Sequence, residues 1–186
     1  YKMDITNEKE QNQFLPSYLL EKDILSNAKD MIGKKIWLNN TKDSKSFFTF
    51  SASEFNRFDQ VLVTGVFPYQ NGNFDHPIWL KVVSRLNGKG YVRYNGDKDR
   101  VGVQDHYYVL DPLPKSWGNQ LIKKVIGKIV EVGMSDDQVR IAMGNPNEIN
   151  FTSSRHGVAE QWIYQNRKGN KTYYQFEYGK LIYISD

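Results

Sequence analysis

The chain has 186 residues, 39% hydrophobic and 25% charged, which is enough for a packed core in one large domain or two small ones. Lys and Arg total 25 against 21 Asp and Glu, and the resulting +4 permits an acidic partner without demanding one. With no cysteine there is no disulfide, thiolate zinc site or cysteine nucleophile, and the longest apolar stretch, residues 61–67, falls far short of the roughly 18 residues a membrane-spanning helix requires.

A mean hydropathy of −0.64 with 14% aromatic residues fits a globular, β-rich protein better than a disordered one. The first residue is Tyr1 rather than Met, and no secretory apolar region follows it. The chain therefore reads as a trimmed, mature form with its signal peptide removed. A lipoprotein whose only cysteine was its anchor would look the same.

Residues 1–16 are polar, rich in Asn, Gln, Lys and Glu, and read as a flexible tether. Leu19, Leu20, Ile24, Ala28 and Met31 then recur near helical spacing, which predicts a helix over 17–31 with Gly33 as its stop. Ser26-Asn27-Ala28-Lys29 matches S-x-x-K, but the S-D-N and K-T-G companions of that catalytic pattern are missing. From Lys34 to Leu110 short β-rich runs follow at 35–38, 46–50, 60–67, 78–85, 90–94 and 106–110. Asn87-Gly88, between Trp79-Leu80-Lys81-Val82-Val83 and Gly90-Tyr91-Val92-Arg93, predicts a type I′ hairpin turn. So many strands without an intervening helix suggest a small barrel.

The hairpin resembles the central hairpin of bacterial SH3-like domains, which carry a Trp, a Val, a Gly-containing turn and then Gly-Trp/Tyr-Val. That resemblance implies a binding module for a peptide, cell-wall material or another domain. Trp79 and Tyr91 would then either fill the barrel interior or line an open groove with Tyr94.

Pro112 and Pro114 disfavour helix at the residues before them and mark the boundary between 17–113 and 114–186. Trp117, Leu121, Ile122, Val125 and Ile126 form one helical face, predicting a helix over 116–126. Ser135 with Gln138 three residues on forms a capping box, and Asp136 and Asp137 suit the positive end of a helix. Gly144 and Pro146 stop that helix. Strand patterns follow at 148–152, 160–164, 172–177 and 181–184, so helices should cover one face of an antiparallel meander.

Gly133-Met134-Ser135, Val139, Gly144-Asn145-Pro146, Trp162-Ile163-Tyr164 and Tyr174 to Leu181 resemble, in order, the SmpA/OmlA family, the BamE-like domain of outer-membrane lipoproteins. The resemblance covers residues 117–186 and implies two helices on an antiparallel sheet, a fold shared with β-lactamase-inhibitor-like proteins. The region before it has no counterpart in a minimal BamE-like protein, so a role in outer-membrane β-barrel assembly does not carry over.

Other chemistry finds no motif. His76, His106 and His156 lack metal-ligand spacing, Gly88-Lys89-Gly90 is not a dinucleotide fingerprint, and Asp97 and Asp99 lack the rest of a calcium loop. Arg93, Tyr94, Lys98 and Arg100 mix cations with an aromatic ring, but Asp97 and Asp99 interrupt them, so nucleic acid is not expected.

The expected fold is α+β: a small SH3-like β-barrel followed by a BamE-like domain of two helices on an antiparallel sheet. The expected function is non-catalytic, with no cofactor and no metal. It is that of a cell-envelope lipoprotein, on the periplasmic side of a membrane or at the outer membrane, that binds another envelope protein. Membrane contact would come only through an N-terminal anchor missing from this sequence. With Tyr174, Phe176, Ile182 and Ile184 facing inward, strict alternation sends Tyr173, Gln175 and Tyr183 outward as a partner-binding surface. The alternative is cell-wall or small-ligand binding at Trp79, Tyr91 and Tyr94. An enzyme would instead need a convergent polar cleft.

Overall fold

The computed structural model describes residues 22–68, 78–96, 101–154 and 157–186. The expected tether and the first part of the 17–31 helix lie outside them. The fold is α+β, with few helices and a curled, half-barrel antiparallel sheet. Two compact units divide the chain, residues 1–97 and 98–186.

In the first unit, helix α1 (Lys22–Lys29) buries Ala28, and Met31 is buried just beyond its end. Gly33, at φ 87°, turns the chain out of the helix and donates its N–H to the Val63 carbonyl at 2.9 Å. The strands are β1 (Lys35–Leu38), β2 (Phe47–Phe48), β3 (Gln60–Pro68), β4 (Ile78–Ser84) and β5 (Gly88–Arg93). Within the unit their order is β2-β5-β4-β3-β1, and every pairing is antiparallel. Ile36, Leu38, Phe47, Val61, Val63, Leu80, Val82 and Val92 fill the inner side. Gly90 belongs to that side because a Cβ there would come within 2.6 Å of the Phe47 ring.

The β4–β5 turn differs from the expected type I′ geometry, which needs positive φ at both central residues. Ser84 pairs with Gly88, so Arg85, Leu86 and Asn87 form a three-residue loop, and only Gly88 has positive φ. The Ser84 hydroxyl accepts from the N–H groups of Leu86 and Asn87, both at 3.3 Å, while the Asn87 amide donates to Asp59 at 2.9 Å. These side-chain bonds stabilise a wider loop than the Asn-Gly step alone would select. The run at 46–50 also narrows, to the two residues of β2. Beyond it Thr49 and Ser51 bond the Lys89 carbonyl by their side chains instead of extending the ladder.

The second unit contains β6 (Tyr107–Tyr108), a 3-10 turn (Lys115–Trp117), α2 (Gly118–Ile126) and α3 (Asp136–Met143). A four-stranded antiparallel sheet follows, made of β7 (Glu148–Ser154), β8 (Gly157–Gln165), β9 (Lys171–Glu177) and β10 (Lys180–Ser185) in the order β10-β9-β8-β7. The capping box of α3 is complete: Ser135 Oγ accepts from Gln138 N, and the Gln138 side chain accepts from Ser135 N. Met134, Val139, Trp162, Tyr174, Phe176 and Leu181 form the core, with Leu121, Ile149, Tyr164 and Ile184 packed around them.

Strict alternation fails at one place in this sheet. A register shift between Leu181 and Tyr183 leaves Leu181 opposite Phe176 and Ile184 opposite Tyr174, with Ile182 as the extra residue. Leu181 therefore takes the core position expected for Ile182, which is 45% exposed.

Candidate functional site

The outer side of the first unit's sheet carries an aromatic cluster. Pairing sets Phe48 beside Tyr91 and Phe67 beside Trp79, and alternation turns all four away from the inward Phe47, Leu80 and Val92. Phe48 stacks on Tyr91 at 4.8 Å with an 11° interplanar angle and meets Trp79 edge-on at 4.9 Å. Phe67 lies 5.3 Å from Tyr91, and Phe50 lies 5.6 Å from Phe48 and 6.1 Å from Tyr91. Lys81 and Lys89 fall on the same side by alternation, Lys81 directly opposite Tyr91 and Lys89 two residues before it.

Phe50 is 87% exposed, which would be wasteful for a residue whose task is to stabilise a fold. Its backbone is nonetheless held. Thr49 Oγ1 donates to the Lys89 carbonyl at 2.6 Å and accepts from Ser51 N at 3.0 Å, and Ser51 Oγ accepts from Lys89 N at 3.3 Å. An exposed ring on a tethered loop loses less entropy on binding than one on a free loop.

Trp79 and Tyr91 thus lie by alternation on the side opposite Leu80 and Val92, where Trp79 is nevertheless buried and Tyr91 half-buried. Trp79, Tyr91 and Tyr94 do not line a single groove. Trp79 is 4% exposed, and Tyr94, two residues past the inward Val92, belongs by alternation to the other side, where it is buried. Sequence reading passed over Phe48, Phe50 and Phe67. Their signal was present in the period of two that sets Phe48 and Tyr91 out of step with Phe47 and Val92.

In the second unit, pairing puts Tyr183 opposite Gln175, on the sheet face away from Trp162, Tyr174 and Phe176. Tyr173 shares that face, opposite Ile163. Tyr183 is 58% exposed, whereas Tyr173 and Gln175 are half-buried and Ile163 is buried. The expected trio does share one face, but it offers one open ring rather than a platform.

A polar residue in the helix exit was also missed. Asn145 is buried, and all its polar groups are engaged. Its N–H donates to Gln104 Oε1 at 2.9 Å, and its carbonyl accepts from Gln104 Nε2 at 2.6 Å. Its side-chain amide donates to the Val103 carbonyl and to Asp105, and its Oδ1 accepts from Arg140 at 2.9 Å. The Arg140 guanidinium lies 4.4 Å over the Trp162 ring, and the Tyr164 hydroxyl donates to the Gly144 carbonyl at 2.8 Å. Burial pushes the Tyr164 hydroxyl well above the usual tyrosine range, against a smaller opposing effect of Arg140. Burial likewise raises Tyr174, helped by the Asp186 carboxylate. Every partner in this network is used internally, so it reads as architecture rather than as a ligand site.

Among the described residues, no group of His, Cys, Asp and Glu could hold a metal ion, and no helix is long and apolar enough to cross a membrane. His106 is half-buried, and His76 and His156 lie outside the described residues. Comparison with family models, curated proteins and solved structures finds no match to this chain.

Proposed function

We propose that the chain is a non-catalytic lipoprotein of the cell envelope that binds another envelope protein through the aromatic outer face of its first unit. The observation that carries this reading is Phe50, an exposed ring on a hydrogen-bonded loop that extends the Phe48–Tyr91 stack. Aromatic rings contribute large contact area at small entropic loss, which is why they dominate binding hot spots. The envelope setting rests on the SmpA/OmlA resemblance of residues 117–186, which α2 and α3 beside an antiparallel sheet support. The SH3-like reading of the first unit is supported by its curled sheet and the β4–β5 hairpin.

A second reading assigns the same face to a cell-wall glycan. The exposed Phe50 ring offers a flat face to a sugar ring, and Lys81 and Lys89 lie on the same side of the sheet for carboxylates. A crosslinking pull-down with the protein expressed from its complete gene separates the readings. Recovery of one envelope protein by wild type and Tyr183→Ala, but not by Phe50→Ala, supports the first. Cell-wall fragments alone, lost with Phe50→Ala, support the second. Loss only with Tyr183→Ala moves the site to the second unit, and cytosolic protein undercuts the envelope setting altogether.

A further inference from the structure

Strand pairing sets the outer side of the first unit's sheet in rows. Lys89, Val83, Leu62 and Lys35 run across β5, β4, β3 and β1 in one row. Phe48, Tyr91, Lys81 and Gly65 form the next, and Arg93, Trp79 and Phe67 the third. Each of these rows carries a cation and no carboxylate, and the remaining outward pair, Trp37 with Gln60, is uncharged.

Arg93 is buried and donates to the Lys45 carbonyl at 3.3 Å, so it belongs to the fold. Lys35 and Lys89 are exposed, and Lys81 is half-buried. Among the described residues the ion pairs are Lys42 with Glu54 and Lys124 with Glu131, and these three lysines take part in neither. A face with three such cations and no anion of its own complements negative charge.

The apolar side chains among the lysines decide which acidic partner fits. Val83 and Leu62 fill the row between Lys89 and Lys35, and Leu62 is 41% exposed. Farther along β3, Phe67 is 40% exposed. Between Leu62 and Phe67 sits Gly65, where an added Cβ would meet only the Lys81 Cβ, at 3.9 Å. That leaves an open notch with apolar walls and an ammonium group at its side. Aliphatic walls gain by burying an aliphatic side chain, which a sugar does not supply.

Resting on the binding role given to this face, we propose that the partner meets it with an acidic polypeptide segment. Its carboxylates pair with Lys35, Lys81 and Lys89, and an apolar side chain enters the notch over Gly65. Strands about 4.8 Å apart put Lys89 and Lys35 about 14 Å apart with Lys81 between them, within reach of one extended segment of about five residues. Pairs made against the rings are screened less than pairs in open solvent.

Fluorescence anisotropy with two labelled peptides tests this: repeats of Leu-Glu-Glu, and their uncharged Leu-Gln-Gln counterpart. The Glu peptide should bind wild type about tenfold tighter than the Gln peptide, and weaken about fivefold between about 50 and 250 mM salt. Lys81→Gln combined with Lys89→Gln should bring the two peptides within about twofold of each other. Lys171→Gln, at an exposed lysine of the second unit, should leave the preference unchanged. Phe50→Ala should weaken both peptides alike. Equal affinity for the two peptides, with both weakened by Phe50→Ala, overturns the acidic partner and keeps the binding face. Binding indifferent to Phe50→Ala and to the lysine variants places the site elsewhere, and the binding reading falls with it. No binding of the Glu peptide up to about 1 mM overturns the acidic partner as well. So does an oligogalacturonate that binds more tightly than the Glu peptide and is lost with the same lysines, since it assigns the face to an acidic glycan. Should the paired lysine variant fail to fold, Lys35→Gln and Lys89→Gln, each at an exposed position, decide.

Discussion

The two sheets use aromatic residues in opposite ways. In the second unit Trp162, Tyr174 and Phe176 face the helices and form the core, with Trp162 and Phe176 rings 4.5 Å apart. In the first unit the inner side is mainly aliphatic, while Phe48, Phe50, Phe67, Trp79 and Tyr91 gather on the outer side. Rings that fill a core are explained by the fold they stabilise. Trp79, buried on that outer side, belongs with the first kind, whereas the exposed Phe50 and Phe67 rings need another explanation, and binding supplies one.

That contrast can be broken at either end. Trp162→Ala should lower stability by about 3–5 kcal/mol, because it empties a core site and removes the surface beneath Arg140. Thermal melting followed by near-ultraviolet circular dichroism measures it, and a loss under about 1 kcal/mol would show that the core packs loosely. Asn145→Ala should cost about 2–3 kcal/mol by leaving Arg140, Asp105 and the Val103 carbonyl without that partner. Chemical denaturation with and without the substitution tests that value.

Alkaline pH provides a probe of the second unit. Tyr164 is raised in the folded state, so its contribution is fully present below the ordinary tyrosine value of 10.0 and fades as pH climbs above it toward the folded value. Stability should therefore fall above pH 10.0, and Tyr164→Phe should flatten that fall while costing about 1 kcal/mol at neutral pH for the lost bond to Gly144. An unchanged alkaline slope in Tyr164→Phe would assign the effect to another group.

The smallest effect on stability is expected at Phe50. Phe50→Ala should change it by less than about 0.5 kcal/mol and weaken partner binding about tenfold or more. If Phe50→Ala melted the protein as Trp162→Ala does, the aromatic face would be a second core and the binding reading would fail.

Much of the architecture was legible in the chain. The α3 cap, the strands of both sheets and the helix at 118–126 follow from local signals that agree with one another, such as Ser135 with Gln138 and the alternation of Tyr174 and Phe176. Ile182 was misread because a bulge inserts one residue that no local pattern announces, and Leu181 and Ile182 are equally apolar. The 85–87 loop was misread because the Ser84 hydroxyl and Asp59 outweigh the Asn-Gly preference, and Asp59 is remote in sequence. The site was less legible. Choosing Trp79, Tyr91 and Tyr94 needed the side each ring faces, and Tyr94 lies one step out of phase with the other two. Asn145 looked like a helix-stop residue because the loop that occupies it, residues 103–105, lies about forty positions earlier.

That distance determines where the chain can be cut. Pro112 and Pro114 look like a natural seam, and a fragment begun there would retain α2, α3 and all four strands of the second sheet. It would also leave behind Val103, Gln104 and Asp105, and of the side chains that hold Asn145 only Arg140 would remain. The portable piece of the second unit therefore begins upstream of Gly102, whose amide bonds the Pro146 carbonyl, and its irregular leading segment is as much a part of the piece as any strand.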